Sequence, residues 1–189
     1  MLSHTVPKGR CPARPTAENP AGKGFRDRGY PKAMTGLVQP FLSTVAGSLD
    51  SKGRVCIPAS YRHLLAAQNT TGVYLCPSFI DPALDAFGQD LLDRVNQRLA
   101  GQDPFFSASF DDEATALIAR TQNLPIDENG RIRIPDALIE HASLKDRIVF
   151  VGKAQKFQIW DADRYAPVEA EALARVKAKM ERARNGEAS

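Results

Sequence analysis

Twice in this chain an aspartate stands four residues ahead of an arginine, with a glycine directly before the arginine: Asp50-Ser51-Lys52-Gly53-Arg54 and Asp127-Glu128-Asn129-Gly130-Arg131. A guanidinium is a planar fork that can bind phosphate or bridge O6 and N7 of guanine. A carboxylate beside it can serve its own turn by accepting backbone N–H groups and pairing with the arginine. It can also pre-organise that arginine for a ligand, and the two roles are compatible. Around the first turn Lys52, Arg54 and Arg62 put three cations within residues 50–62, where Asp50 is the only acid. The second turn carries Arg131 and Arg133 against Asp127 and Glu128. A polyanion should therefore be held mainly by the first turn, with the second serving largely in packing. Catalysis has little to build on: there is no Ser-His-Asp or Cys-His order and no Walker or dinucleotide glycine pattern, so no catalytic residue is assigned and the chain reads as a non-enzyme.

The elements that must position these turns are legible around them. Val45 to Leu49 reads as a short strand and Arg54 to Ile57 as a second, which with Asp50–Gly53 makes a hairpin with a polar tip. Asp at the first place and Gly at the fourth suit a type I turn whose glycine takes the positive φ of a following bulge. Pro58 suits the first turn of a helix with an apolar face at Tyr61, Leu64 and Leu65. Val73 to Leu75 and Leu84 to Phe87 read as further strands. The second copy repeats this order: Leu124 to Ile126, the turn, Arg131 to Ile134, a helix over Ala137 to His141 opened by Pro135, then Ile148 to Val151 and Phe157 to Trp160. Asp50/Asp127, Gly53/Gly130, Arg54/Arg131, Val55/Ile132, Ile57/Ile134 and Pro58/Pro135 agree in kind at an offset of 77 residues, so the turn belongs to a duplicated unit. Between the copies Gln89 to Leu99 is amphipathic, and Ser109 stands as the N-cap of a helical stretch through Leu117 and Ile118. After Trp160 a polar helix, roughly Val168 to Arg184, carries a narrow apolar stripe of Leu173, Val176 and Met180, with Pro167 separating it from Tyr165.

Composition bounds the remainder. With 189 residues, 43% of them hydrophobic, the chain can bury one sizeable core or two small ones. No apolar run approaches the roughly 20 residues that cross a bilayer, and the N-terminus lacks a secretory leader, so a cytoplasmic protein is expected. Of the 25 Lys+Arg and 22 Asp+Glu, residues 1–38 hold 7 and 2, which leaves 18 and 20 beyond them. Polyanion binding must then come from local arginine clusters rather than a general basic field. Residues 1–33 are rich in Pro and Gly and read as disordered, and Met34 reads as the true start. Cys11, Cys56 and Cys76 lack metal-binding or stapling spacings and read as reduced thiols; with three histidines and no metal-ligand pattern, neither a metal nor a cofactor is expected.

The segments SLDSKGRVCIPASYR and PIDENGRIRIPDAL, followed by IVFVGKAQKFQIW, resemble the two halves of the MraZ family of bacterial transcriptional regulators, whose repeat belongs to the SpoVT/AbrB swapped-hairpin domains. The resemblance runs from about Phe41 to Tyr165. It implies a mostly β, α+β fold, a β-barrel-like double unit of interlocked hairpins with peripheral helices. The expected organisation is an arm at 1–38, a first repeat at 39–88, a helical connector at 89–120, a second repeat at 121–166, and a C-terminal helix and tail at 167–189. By the same resemblance the chain would be a ring-forming homo-oligomer, associated with the nucleoid, that binds repeated boxes in duplex DNA upstream of the division and cell-wall gene cluster, including its own promoter. The family's motif falls on Asp50 with Arg54 and on Asp127 with Arg131. DNA contacts are expected from Lys52, Arg54, Arg62, Arg131 and Arg133, with Asp50, Gly53, Asp127 and Gly130 shaping the turns and no small-molecule substrate. The family generally lacks the arm before Met34, and at Leu84-Asp85-Ala86-Phe87 its members often have a Cys-Leu sequence. Alternative readings are an oligomeric protein-binding scaffold, or an antitoxin-like AbrB relative.

Overall fold

The computed structural model describes residues 39–184, which lie within one compact unit, Val38–Ser189. The expectations for the arm and for Met34 fall outside the described residues. Strands β1 (Thr44–Ser48) and β2 (Arg54–Cys56) flank the first turn, followed by helix α1 (Ala59–Ala67), β3 (Gly72–Pro77) and β4 (Leu84–Phe87). The connector contains α2 (Gln89–Leu99) and α3 (Ala108–Glu113), which runs on as a π-helical turn over Ala114–Ile118. The second copy repeats the first order with β5 (Gln122–Pro125), β6 (Arg131–Arg133), α4 (Asp136–Ala142), β7 (Arg147–Lys153) and β8 (Lys156–Asp161), and α5 (Ala162–Arg184) ends the described chain.

Strands from the two copies interleave. Six of them form one antiparallel sheet in the order β1-β7-β8-β4-β3-β5, and β2 pairs with β6 as a separate antiparallel ribbon. The first strand of each copy thus pairs with the third strand of the other, β1 with β7 and β5 with β3, while β4 lies beside β8 at the centre. This is a mixed α+β fold, as expected. Its sheet is open: β1 and β5 are edges and do not pair with each other, so the barrel-like element of the expectation does not extend to closure.

The simple hairpin expected at the first turn is also corrected. Among the described residues a single β-bridge, Leu49 to Val55, joins the two arms beyond the turn, after which β1 leaves for β7 and β2 for β6. Burial explains the divergence. Val55 and Ile132 face each other across the ribbon, and with Ile57 and Ile134 they enter a single core containing Phe41, Tyr61, Leu65, Leu138, Phe150 and Phe157. A unit of about 50 residues cannot enclose such a core alone; interleaving lets both copies share one.

Two helix details differ from expectation. The cap of α3 is Ser107, whose Oγ accepts the N–H of Phe110 at 3.2 Å, and Ser109 lies inside the helix. Helix α5 runs from Ala162 straight through Pro167. The hydrogen bond that Pro167 cannot donate is offset by Tyr165 and Val168, which pack against the buried cluster of Ala83, Val151 and Trp160 and hold the helix start on the sheet. Cys76 is a buried free thiol, pushed up in pKa chiefly by desolvation. Cys11 lies outside the described residues.

Candidate functional site

Both Asp-x-x-Gly-Arg segments form the turn their residues dictate. In the first, Gly53 N–H donates to Asp50 O at 3.0 Å and Asp50 N–H to Arg54 O at 2.9 Å; in the second, Gly130 donates to Asp127 O and Asp127 to Arg131 O, each at 2.8 Å. Gly53 and Gly130 take φ of 72° and 75°, the left-handed region where a Cβ is strained. Each aspartate Oδ1 then accepts two backbone N–H groups, those of Lys52 and Arg54 in the first turn and of Asn129 and Arg131 in the second.

The turns are locked across the molecule as well. Ile134 N–H donates to Gly53 O at 2.8 Å, and Ile57 N–H donates to Gly130 O at 2.9 Å. These reciprocal bonds fix the ribbon register, in which Arg54 stands opposite Arg133 and Cys56 opposite Arg131, with the buried Val55–Ile132 pair between them. Directly opposed residues share a side of an antiparallel ribbon, as do residues two apart in one strand. Three arginines from both copies therefore share the outer face whose reverse is anchored in the core. Lys52 is exposed at the turn tip beside them.

The arginines do not have equivalent surroundings. Arg54 donates from Nε to Asp50 Oδ2 at 2.8 Å, and its Nη2 lies 2.7 Å from the same oxygen. This pairing, together with the backbone donors, holds the Asp50 carboxyl down to about 2. The guanidinium has five N–H donors, and the Nη1 group with the outer hydrogen of Nη2 is left as a fork. Its side chain remains 36% exposed, so it is neither sealed in the core nor free to wander. Arg131 and Arg133 have no ion pair among the described residues, and Asp127 Oδ1 accepts backbone donors as Asp50 Oδ1 does, without a guanidinium on its other oxygen. The pairing anticipated for both turns thus forms in the first alone.

Arg62 occupies a different place from the one its sequence position suggests. Its Nε donates to Ile57 O at 3.1 Å, and its guanidinium lies over Gly130, where an added Cβ would come within 2.6 Å of it. A cation expected around the first turn braces the second, and glycine at 130 leaves it room. Cys56 is the member of this face that the motif did not bring forward; the alternation Arg54-Val55-Cys56 carried that signal. Elsewhere, buried Asp85 receives Lys156 Nζ at 2.7 Å and Gln158 Nε2 at 2.8 Å, and Gln158 Oε1 accepts Trp160 Nε1–H at 2.9 Å. These polar groups satisfy one another and account for an acid in a central strand. Among the described residues no cluster of His, Cys, Asp and Glu could hold a metal ion, and no helix is long and apolar enough to cross a membrane.

Comparison with known proteins points to the same segments. A family model described as "MraZ protein, putative antitoxin-like" matches residues 117–185, which include the second turn. The chain is 39% identical over 137 residues to the transcriptional regulator MraZ of Xanthobacter autotrophicus, covering 72% of this chain and 87% of that protein. Identity and coverage are the same for the protein of that name in Azorhizobium caulinodans. With that of Pelagibacter ubique the identity is 36% over 143 residues, covering 76% of this chain and 90% of the relative.

Proposed function

Because the chain belongs to the MraZ family of transcriptional regulators, we propose that it acts by gripping duplex DNA with the outer face of the β2–β6 ribbon. The observation that carries this reading is the opposition of Arg54 and Arg133, with Arg131 on the same face, above an apolar pair that fixes the ribbon. A two-stranded ribbon is narrow enough for the major groove. The free fork of Arg54 is suited to guanine O6 and N7 or to a phosphate, and Lys52, Arg131 and Arg133 supply cations along the backbone. Arg62 contributes by bracing the second turn, so its role is positioning with a partial share of the field. Asp50, Gly53, Asp127 and Gly130 shape the turns. No step of this function breaks a covalent bond, and the relatives carry the names of regulators rather than enzymes.

One ribbon offers few phosphate contacts and would bind weakly. A homo-oligomer that presents several ribbons, as in a ring, gains avidity of roughly 10²–10⁴ on repeated boxes without new contacts. The targets are repeated promoter boxes of the division and cell-wall gene cluster, including the chain's own promoter, and the protein acts in the cytoplasm at the nucleoid. Each half of the ribbon, with its turn and helix, is one repeat in this reading (39–88 and 121–166), joined by the connector at 89–120 and flanked by the arm at 1–38 and the C-terminal helix and tail at 167–189. Titrating tandem-box DNA with wild type and Arg54→Ala at several salt concentrations tests this. The variant should bind about tenfold or more weakly, with a shallower salt slope; equal affinity and equal slope would refute the ribbon as the reading surface.

A further inference from the structure

Two exposed apolar features have no use in the DNA-binding reading. On α5, Leu173, Val176 and Met180 are 58%, 50% and 67% exposed and line one face at spacings of three and four residues. Lys177 borders this stripe on one side and Lys179 on the other, and Arg184 follows a turn later. Glu171 points away and pairs with Arg175. A stripe with basic residues on both flanks repels a second copy of itself, because like charges would meet across the seam. Its complement is an apolar segment bordered by acids.

This chain carries such a segment between α2 and α3. Phe105 and Phe106 are 86% and 91% exposed. Asp103 holds them out by accepting both of their backbone N–H groups on Oδ1, at 2.8 and 2.9 Å. The segment is built rather than slack: Ser107 caps α3, and Arg98 pairs with Glu113 at 2.9 Å to tie α3 to α2. Asp111 and Asp112 are exposed on the helix that follows. Two adjacent phenylalanines left in water are unfavourable relative to burial, and such a patch marks a docking site.

We propose that the α5 stripe of one copy docks onto the Asp103–Asp112 segment of a second copy. The argument is charge complementarity combined with two apolar surfaces that each lack a partner in their own chain among the described residues. Because the two surfaces differ, the contact is head-to-tail, and repetition of it closes a ring or extends a filament. This rests on the homo-oligomer in the function proposed above and names the surfaces that build it.

The test is light scattering after size exclusion on the full chain and on two exposed charge-reversal variants, Lys177→Glu/Lys179→Glu and Asp111→Lys/Asp112→Lys. Each alone should lower the assembly mass by about twofold or more, and mixing the two should restore it, because acidic helix then meets basic segment. Circular dichroism should be unchanged in both, since every substituted side chain is exposed. An unchanged mass in either variant overturns the proposal, as does a monomeric wild type or a mixture that stays small. If only the helix variant loses mass, an acidic partner other than this segment occupies the stripe, and the proposal fails. Affinity for a single-box fragment, read in parallel, separates this from the DNA-binding reading: it should be the same for both variants and wild type, and its absence in wild type would sink that reading whatever the masses show.

Discussion

The two turns share backbone, glycine conformation and carboxylate-to-amide bonds, yet they differ in what they do with their arginine. Asp50 takes the Arg54 guanidinium as well as two amides, whereas Asp127 takes amides alone. The second turn instead carries Arg62, arriving from the other copy to lie over Gly130. Duplication preserved the turn as a fold element and let the side-chain work diverge. An arginine restrained by a carboxylate loses less freedom on binding, whereas an unrestrained one contributes mainly charge.

The strongest way to break this comparison is to remove each arginine in turn. Arg54→Ala should cost about tenfold or more in affinity for box DNA, and Arg131→Ala or Arg133→Ala should cost a few-fold, mostly as a reduced salt slope. Equal losses measured by fluorescence anisotropy would mean that the Asp50 restraint is irrelevant to binding. Next come the glycines. Gly53→Ala and Gly130→Ala should each destabilise the fold by about 1–2 kcal/mol in urea melts, because both sit at positive φ. They should part on DNA: a Cβ at 130 evicts the Arg62 guanidinium, while one at 53 crowds the Ile134 carbonyl at 3.1 Å, so only Gly130→Ala is expected to move a cation of the second turn.

Asp50→Asn should have a smaller effect with two opposing parts. Loss of the carboxylate removes a repulsion toward phosphate, so random DNA binds slightly better, while Arg54 loses its restraint and the ratio of box to random affinity falls by about two- to fivefold. A ratio that is unchanged in competition gel shifts argues that the pair serves the turn alone. The smallest effect is in pH. The folded Asp50 carboxyl is depressed from 3.8 to about 2, so its pairing contributes fully above the unfolded value and is lost as pH falls through about 4 to about 2. An NMR titration of this carboxyl should give a midpoint near 2 in wild type and a rise toward the ordinary value in Arg54→Ala.

Much of the candidate site was readable because its decisive bonds are local. Asp, Gly and Arg within five residues dictate the type I turn, its positive-φ glycine and the amides on the carboxylate, and alternation around Val55 and Ile132 marks the faces. Helix ends were less legible. Ser107 and Ser109 are both competent caps, and the choice fell to the one whose hydroxyl meets Phe110 N–H. Pro167 would break an isolated helix but is carried by the packing of Tyr165 and Val168.

From the sequence alone came the duplicated unit, its turn chemistry and the arginines that mark it, since each depends on contacts within a few residues. Tertiary structure decided which strands meet. With two copies of the same element order in one chain, a first strand has comparable partners in its own unit and in the other, and backbone hydrogen bonding does not distinguish them. Enclosing one shared core does. That choice splits the expected hairpin, sets Arg54 opposite Arg133 and sends Arg62 across to the second turn.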